Sequence, residues 1–204
     1  MNADHIARLY SSLEYTAFGN ALQRRRVAFL PEVAGARRVL VLGDGDGRFL
    51  EQLVRRNTQA HVDYVDLSGR MLELARARGG IERVTYHQAD ALEIALPEST
   101  YDLIATHFFL DCLDKAGAER LAERVARAAS PRALWLVSEF RECAFWARPL
   151  LAALYLCFRL TTGLRTRRLT DHHPLLERHG FRMVRAQSAW WGLLASELWA
   201  RAVD

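Results

Sequence analysis

Three glycines at alternate positions form the part of this sequence best suited to bind a nucleotide. Gly43, Gly45 and Gly47 follow a run of four apolar residues, Val39 to Leu42, and precede apolar residues at helical spacing. A buried strand, a glycine turn and a helix in this order begin the nucleotide-binding units of α/β proteins. Glycine adopts backbone angles closed to other residues and lets a ligand approach the main chain, while the amides that open the helix face that ligand.

Carboxylates within and beyond this turn can add contacts to such a ligand. Asp44 and Asp46 alternate with the glycines, and Asp66 closes a second predicted strand that starts at His61. A carboxylate at the end of the second strand can accept hydrogen bonds from both ribose hydroxyls of an adenosine. The structural alternative for Asp66 is a helix cap or a solvated turn. Ser68 is expected to cap the helix that follows.

Further ionisable side chains follow the third and fourth predicted strands, Ile81 to His87 and Tyr101 to Thr106. Asp90 comes after the third strand, and His107 and Asp111 come after the fourth. An imidazole titrates near neutral pH, so His107 is the first candidate for a general base and Asp111 the second. The alternative is that both side chains only orient a bound ligand, and that catalysis rests on proximity alone.

The length and composition predict a single globular domain over residues 1–204. Half of the residues are hydrophobic, a quarter are charged, and the net charge is +4. Arginines cluster at 24–26 and 165–168, where solvated faces are the simplest interpretation. We expect no nucleic-acid partner, because such a surface usually combines a dense basic stripe with stacking aromatic side chains. Contact with an anionic membrane surface or an acidic substrate stays open.

The cysteines and histidines give no metal or disulfide pattern. Cys112, Cys143 and Cys157 are odd in number and lack C-x-x-C spacing, and the first residues lack a signal-peptide pattern. Both features fit a reducing cytosol, so we expect a cytoplasmic protein. His172 and His173 are adjacent, but no third ligand lies at a suitable spacing, and we expect no metal.

Two segments extend the alternation of strands and helices. Residues 1–30 are predicted as an N-terminal helical cap. A fifth strand, Ala133 to Phe140, follows a helix break at Ser130-Pro131, and residues 141–170 then form an apolar helical insertion. The insertion is a candidate lid, acceptor pocket or peripheral membrane contact, with core packing or a dimer contact as the alternatives. A hairpin with its turn at Gly192 closes the chain.

These features resemble those of the class I S-adenosylmethionine-dependent methyltransferases. The G-x-G-x-G pattern is similar to their motif I, the run Tyr101 to Ile104 is similar to their motif IV, and the closing hairpin also matches. The resemblance implies an α/β three-layer sandwich with a seven-stranded, mostly parallel Rossmann-like sheet and an antiparallel C-terminal hairpin. One departure is Val41, because the family usually has an acidic residue there; Asp44 and Asp46, inside the loop, are the candidates to carry part of the role of that acid.

The resemblance implies S-adenosylmethionine as cofactor and a role for each matched position. Asp90 corresponds to the acid that accepts from the adenine amine, beside a main-chain amide. Residues implied in cofactor binding are Gly43, Asp44, Gly45, Asp46, Gly47, Asp66, Leu67, Met71, Asp90, Ala91 and His107. Residues implied in lining the acceptor pocket are Tyr15, Trp146 and Tyr155.

The function implied is methyl transfer to a small, partly hydrophobic acceptor, such as a quinone-like phenol, a lipid or a secondary metabolite. The sequence Thr106-His107-Phe108-Phe109 differs from an Asn/Asp-Pro-Pro-Tyr signature, which weighs against DNA adenine and protein glutamine as targets. A monomer or a homodimer is expected. The alternatives are a non-catalytic protein that binds the cofactor or a partner and, on a similar sheet, an NAD(P)-dependent oxidoreductase.

Overall fold

A seven-stranded sheet forms the centre of the computed structural model, which describes residues 19–141 and 171–202. The strand order is β3-β2-β1-β4-β5-β7-β6, and β7 runs antiparallel to both of its neighbours. This confirms the predicted sheet and its closing hairpin. The strands are β1 (Arg38–Leu42), β2 (His61–Asp66), β3 (Val84–Gln88), β4 (Tyr101–His107), β5 (Ala129–Phe140), β6 (Phe181–Ala189) and β7 (Leu194–Arg201).

Helices cover both faces of the sheet and have local start signals in the sequence. Ser68 accepts a hydrogen bond from Met71 N, and Asp114 accepts one from Gly117 N at 2.7 Å, so each side chain caps the helix that it precedes. The helices are α1 (Ala21–Arg26), α2 (Arg48–Arg56), α3 (Gly69–Gly79), α4 (Lys115–Ala128) and α5 (His173–Arg178). Short 3₁₀ turns occur at Leu30–Val33 and Leu110–Cys112.

The core lies in two layers, because parallel strands bury both of their faces. Leu40 and Leu42 of β1 pack with α4 and α5 on one side, whereas Val39 and Val41 pack with α2 on the other. Val41 is fully buried among apolar side chains. Valine at this position fits its apolar surroundings, in which an unpaired carboxylate would lose its hydration.

Three predicted boundaries were wrong. β3 begins at Val84, and Ile81 is 75% exposed, since its apolar side chain has no core to face. β5 begins at Ala129 rather than Ala133, with a register shift against β4 that accommodates the proline at 131. The N-terminal helix ends at Arg26, before the 3₁₀ turn that contains Pro31.

Several predictions lie outside the described residues. These are residues 1–18 of the N-terminal cap, residues 142–170 of the insertion, and the acceptor-lining candidates Tyr15, Trp146 and Tyr155. Within the described ranges, no helix is both long and apolar enough to cross a bilayer.

Candidate active site

A crevice at the carboxyl ends of β1 and β4 is the position where this topology places a ligand. After β1 the chain moves outward to β2 and β3, and it then returns to the other side of β1 to form β4. Loops that leave adjacent strands in opposite directions open a crevice between them, the switch point of an open α/β sheet. The glycine loop and the loop after β4 therefore face each other across the candidate site.

All three glycines of the loop have positive φ angles, 64°, 66° and 79°, but their surroundings differ. A Cβ at Gly47 would lie 2.7 Å from Ala75 Cα, so this glycine lets α2 pack closely on α3. A Cβ at Gly43 would overlap the ring of Phe109. At Gly45, Met71 Sδ at 3.9 Å is the nearest neighbour. Gly45 is thus the glycine whose main chain a ligand can approach.

Asp44 stabilises the start of α2 from within the loop. It is buried, and its Oδ2 accepts hydrogen bonds from Phe49 N at 3.1 Å and Leu50 N at 3.3 Å. Arg26 Nε lies 3.9 Å from Oδ1. Burial raises the pKa of Asp44 to about 7, against the opposing effects of Arg26 and the two amides. Two of the helix amides expected to face a ligand are therefore occupied by the chain's own carboxylate.

Asp46 binds two arginines. It accepts from Arg48 Nε at 3.0 Å and from Arg78 Nη2 at 3.1 Å, and it is 5% exposed. Because Arg78 belongs to α3, this contact ties the loop to the next helix. Two guanidinium groups balance the negative charge of Asp46, and the predicted cofactor roles of Asp44 and Asp46 remain predictions.

Asp66 lies beside the glycine loop at the end of β2. Its Oδ1 accepts from Ser68 N at 2.8 Å, which fixes the carboxylate at the strand end. Gly43 N donates to Val65 O at 2.9 Å, and the Tyr64 hydroxyl donates to Gly45 O at 2.8 Å. β2 and the loop are thereby held together, as a nucleoside spanning both would require.

The remaining predicted cofactor residues lie around the same edge of the sheet. Met71 is buried below Gly45, and Leu67 is 38% exposed. Asp90 is exposed and accepts from Leu92 N at 2.8 Å, whereas Ala91 packs in the core. Ala89 N donates to Asp66 O at 3.2 Å, so the Asp66 and Asp90 loops are neighbours. The adenine role of Asp90 remains a prediction.

His107 is buried at the end of β4, on the α2 side of the sheet. Its Nδ1 lies 3.0 Å from Ser138 Oγ, and its ring packs 4.4 Å from that of Phe49. Ser138 Oγ donates to Arg25 O at 3.1 Å, so it accepts from a protonated Nδ1. Nε2 is then a bare lone pair, with no hydrogen-bond partner among the described residues. Burial, then the charge of Arg26, lower the pKa of His107 well below 6.5.

The loop after β4 is held in a strained conformation by Glu139, a residue absent from the predicted site. Phe108 has a positive φ of 54°, and the ring of Phe109 lies against Gly43. Glu139 Oε1 accepts from Phe109 N at 3.1 Å and Leu110 N at 2.8 Å. The sequence places this acid at the pocket end of the fifth predicted strand, next to β4, but assigns no role to it.

Asp111 and Glu139 form a buried pair of carboxyl groups. Burial, and then the charge of Asp111, raise the pKa of Glu139 well above its usual value. Cys112 Sγ contacts Asp111 Oδ1 at 3.5 Å, and burial raises the pKa of this thiol too. Two close carboxyl groups cannot both ionise without penalty, so the pair retains a proton above the pH at which a free carboxyl group loses its own.

The adjacent histidines acquire an acidic neighbour that sequence spacing does not reveal. His172 Nε2 lies 2.8 Å from Glu197 Oε2, and His173 Nε2 lies 2.9 Å from Glu197 Oε1. These three side chains present possible metal ligands within 4.8 Å of one another. Trp199 Nε1 also donates to Oε2, and Arg141 donates to Oε1.

Four side chains thus contact the carboxylate oxygens of Glu197, and one of these side chains, Arg141, is a cation. This arrangement favours an ionic cluster over a metal site. Burial opposes ionisation of Glu197, but the two histidines outweigh it and hold its pKa far below the usual range.

Comparison with known proteins agrees with this geometry. Residues 39–132 match the family model of the methyltransferase domain. Polyamine aminopropyltransferase 2 of Bacillus anthracis is 34% identical over 110 residues, which is 48% of this chain and 30% of that protein. The malonyl-[acyl-carrier protein] O-methyltransferase of Bacillus cereus is 36% identical over 70 residues, 34% of this chain and 26% of that protein. The chain spans less than a third of the length of these relatives.

Solved structures match over more of the chain. One is an S-adenosylmethionine-dependent methyltransferase from Mesorhizobium loti, with a TM-score of 0.68 and 24% identity. The superposition covers 91% of this chain and 98% of that chain. Another is the 1,6-didemethyltoxoflavin-N1-methyltransferase of Burkholderia thailandensis, with a TM-score of 0.70 and 19% identity. The superposition covers 98% of this chain and 86% of that chain.

Strand order, glycine loop and crevice define the class I methyltransferase fold. The chain is thus similar to the S-adenosylmethionine-dependent methyltransferases, by its match to the methyltransferase domain model over residues 39–132 and by its fold.

Proposed function

We propose that this chain transfers a methyl group from S-adenosylmethionine to a small, partly hydrophobic acceptor. The observation that carries this proposal is the open side of Gly45, beside the end of β2 where Asp66 is fixed. Main chain that a ligand can approach and a ribose-binding carboxylate are what the nucleoside and its amino-acid tail require. When bound, the cofactor supplies a methyl group activated by its sulfonium charge.

The chain's own residues supply alignment, exclusion of water and proton removal. Glu139 fixes the loop after β4, which faces the glycine loop across the crevice. The apolar side chains of Phe108 and Phe140 pack together 5.2 Å apart at this edge of the sheet and favour an acceptor with a hydrophobic part. His107 is the proposed general base, acting through Nε2, and Asp111 is the second candidate.

The size of the acceptor is proposed from the relatives as well. The Burkholderia enzyme is named for a didemethyltoxoflavin, and another solved structure of this fold, at 18% identity, is a mitomycin 7-O-methyltransferase. These names describe small organic molecules, which agrees with a pocket built from the described apolar cluster. Aminopropyl transfer to an amine is a second candidate, because the Bacillus anthracis relative matches about half of the chain.

Two measurements test this proposal. Calorimetric titration with S-adenosylmethionine and with NADH should show binding of the first alone; tight binding of NADH alone would refute a methyltransferase. A cell extract incubated with the protein and methyl-labelled cofactor should then yield labelled small molecules. Aminopropyl transfer would leave the labelled methyl group on the departing thioether, so mass spectrometry must also search for acceptors that gain an aminopropyl group. An extract with neither a labelled nor an aminopropyl product would indicate a binding protein.

A further inference from the structure

A cleft between α1 and the tip of the β6–β7 hairpin lies outside the glycine-loop crevice. It has a volume of about 410 Å³ and is lined by Asn20, Ala21, Arg24, Arg25, Ala189 and Trp190. This volume is typical of small-molecule pockets. β7 begins at Leu194, opposite Phe140 at the end of β5. The hairpin tip therefore stands at the same edge of the sheet as the candidate active site.

The cleft carries two positive charges that no carboxylate of the described chain balances. Arg24 and Arg25 are consecutive, and within the described ranges neither guanidinium forms an ion pair. Arg25 Nε is buried and has no hydrogen-bond partner there. Burial, and then the charge of Arg24, lower the pKa of Arg25. An anion held by both side chains would relieve their repulsion and supply the missing acceptor.

The aromatic wall of the cleft belongs to a turn with a strained backbone. Trp190 and Trp191 have φ angles of 52° and 51°, in a turn that normally uses asparagine and glycine. Gly192 N donates to Ala189 O at 3.1 Å, and Leu193 N donates to Trp190 O at 3.0 Å, which hold the turn closed. Strain of this kind is typical of functional positions. Here it fixes an indole beside two arginines.

The cleft adjoins the loop after β4 through one apolar cluster. Phe108 of that loop packs with Phe140 and with Leu22 of α1, and Ala21 and Ala189 from the cleft wall pack against the same cluster. The arginine cleft and the loop that faces the crevice thus share one apolar cluster. Charge, stacking surface and apolar floor together select a planar, anionic molecule.

We propose that the methyl acceptor is an aromatic acid whose carboxylate is bound by Arg24 and Arg25 and whose ring stacks on Trp190. This inference rests on the proposed methyl transfer, because it names the class of acceptor. The binding itself needs no turnover and can be measured without it.

The test is calorimetric titration of the full chain with 2-naphthoate and with its uncharged analogue 2-naphthamide. We expect 2-naphthoate to bind at least tenfold more tightly. In the double variant R24Q/R25Q this preference should disappear. Trp190→Ala should weaken both ligands to a similar extent, since it removes stacking and leaves the charges. The double variant R132Q/R182Q, which removes two exposed arginines elsewhere, is the control and should keep the preference.

Equal affinities of the two probes for the wild-type chain would overturn the inference, as would an equal loss of preference in the control variant. If R24Q/R25Q does not fold, the single variants R24Q and R25Q should each reduce the preference. S-adenosylhomocysteine is titrated separately. Absence of its binding would count against methyl transfer, whereas its binding with no discrimination between the probes would count against the aromatic acid alone.

Discussion

His107 donates a hydrogen bond from Nδ1 to Ser138 Oγ across 3.0 Å, and this contact joins the end of β4 to β5. The same hydroxyl donates to Arg25 O of α1, which also accepts from Ser196 Oγ at 2.7 Å. The two serines are paired in register on β5 and β7. One relay thus connects the candidate base to the helix that lines the arginine cleft.

Asp66→Asn should weaken S-adenosylmethionine binding by roughly tenfold or more, about 1.4 kcal/mol. The substitution removes the charge and turns one acceptor oxygen into a donor, which cannot accept from a ribose hydroxyl. Calorimetry measures the change, and Glu82→Gln, at an exposed position, is the control. Unchanged affinity would exclude the ribose role.

Gly45→Ala and Gly47→Ala should separate ligand binding from folding. Alanine at Gly47 places a Cβ against the backbone of Ala75, so stability should fall by about 1–3 kcal/mol from overpacking, in addition to strain. Alanine at Gly45 meets only Met71 Sδ, at an ordinary contact distance of 3.9 Å, so the cost should be only about 1–2 kcal/mol of strain, with a clear loss of cofactor affinity. Thermal denaturation measures stability, and titration measures cofactor affinity. Similar stability losses in the two variants would contradict the expected difference between Gly45 and Gly47.

His107→Asn should slow turnover at least tenfold while cofactor affinity stays close to that of the wild type. Asparagine can still donate to Ser138 Oγ, but it has no basic nitrogen. Single-turnover rates with labelled cofactor measure the effect. A variant as fast as the wild type would eliminate His107 as the base and favour Asp111.

The pH dependence of stability should identify His107 independently of turnover. Its pKa in the folded chain lies below the unfolded value near 6.5, so the unfolded state binds more protons in that interval. Stability should therefore fall as the pH drops from about 6.5 toward the folded pKa. His107→Asn should flatten this part of the plot of melting temperature against pH. An unchanged slope would assign the titration to a group other than His107.

Glu139→Gln should preserve the loop after β4 and remove a loss of stability at higher pH. The amide oxygen can accept from Phe109 N and Leu110 N, and the amide nitrogen can donate to Asp111 as a protonated Glu139 would. Because burial raises the pKa of Glu139 in the folded state, the contribution of this group to stability is fully present below its unfolded pKa and is lost as the pH rises through the folded pKa.

Melting curves from pH 4 to 9 check this expectation for Glu139, with the glutamine variant showing the flatter profile. Glu139→Ala is the matched comparison, because it leaves both loop amides without an acceptor and should raise KM for the cofactor or lower kcat. Equal activity of the alanine and glutamine variants would show that Glu139 does not position the loop.

Glu197→Ala should destabilise the chain by about 3–5 kcal/mol, because it leaves the charge of Arg141 and the donors of Trp199 and the histidines without their acceptor. Chemical denaturation measures this loss. EDTA should leave the wild-type melting temperature unchanged. A large decrease with EDTA, restored by zinc, would instead assign His172, His173 and Glu197 as metal ligands.

The sequence determined the elements and their order, because those signals are local. Apolar runs predicted the strands, and the glycines predicted the turn after β1. Ser68 predicted the start of α3 and does cap it. The predicted strand boundaries were wrong where tertiary contacts decide them. Ile81 lies outside β3 because no core faces its side chain, and Pro131 lies within β5 because a register shift against β4 accommodates it.

Tertiary structure alone decided which of the candidate side chains remain available to a ligand. Asp44 and Asp46 look equivalent in the sequence, yet one caps α2 and the other binds two arginines. Glu139 and Glu197 acquire their roles from residues 29 and 25 positions away, on neighbouring loops. Hydrogen bonds and ion pairs depend on distances of a few ångströms, and residues far apart in sequence reach those distances only once the sheet has formed.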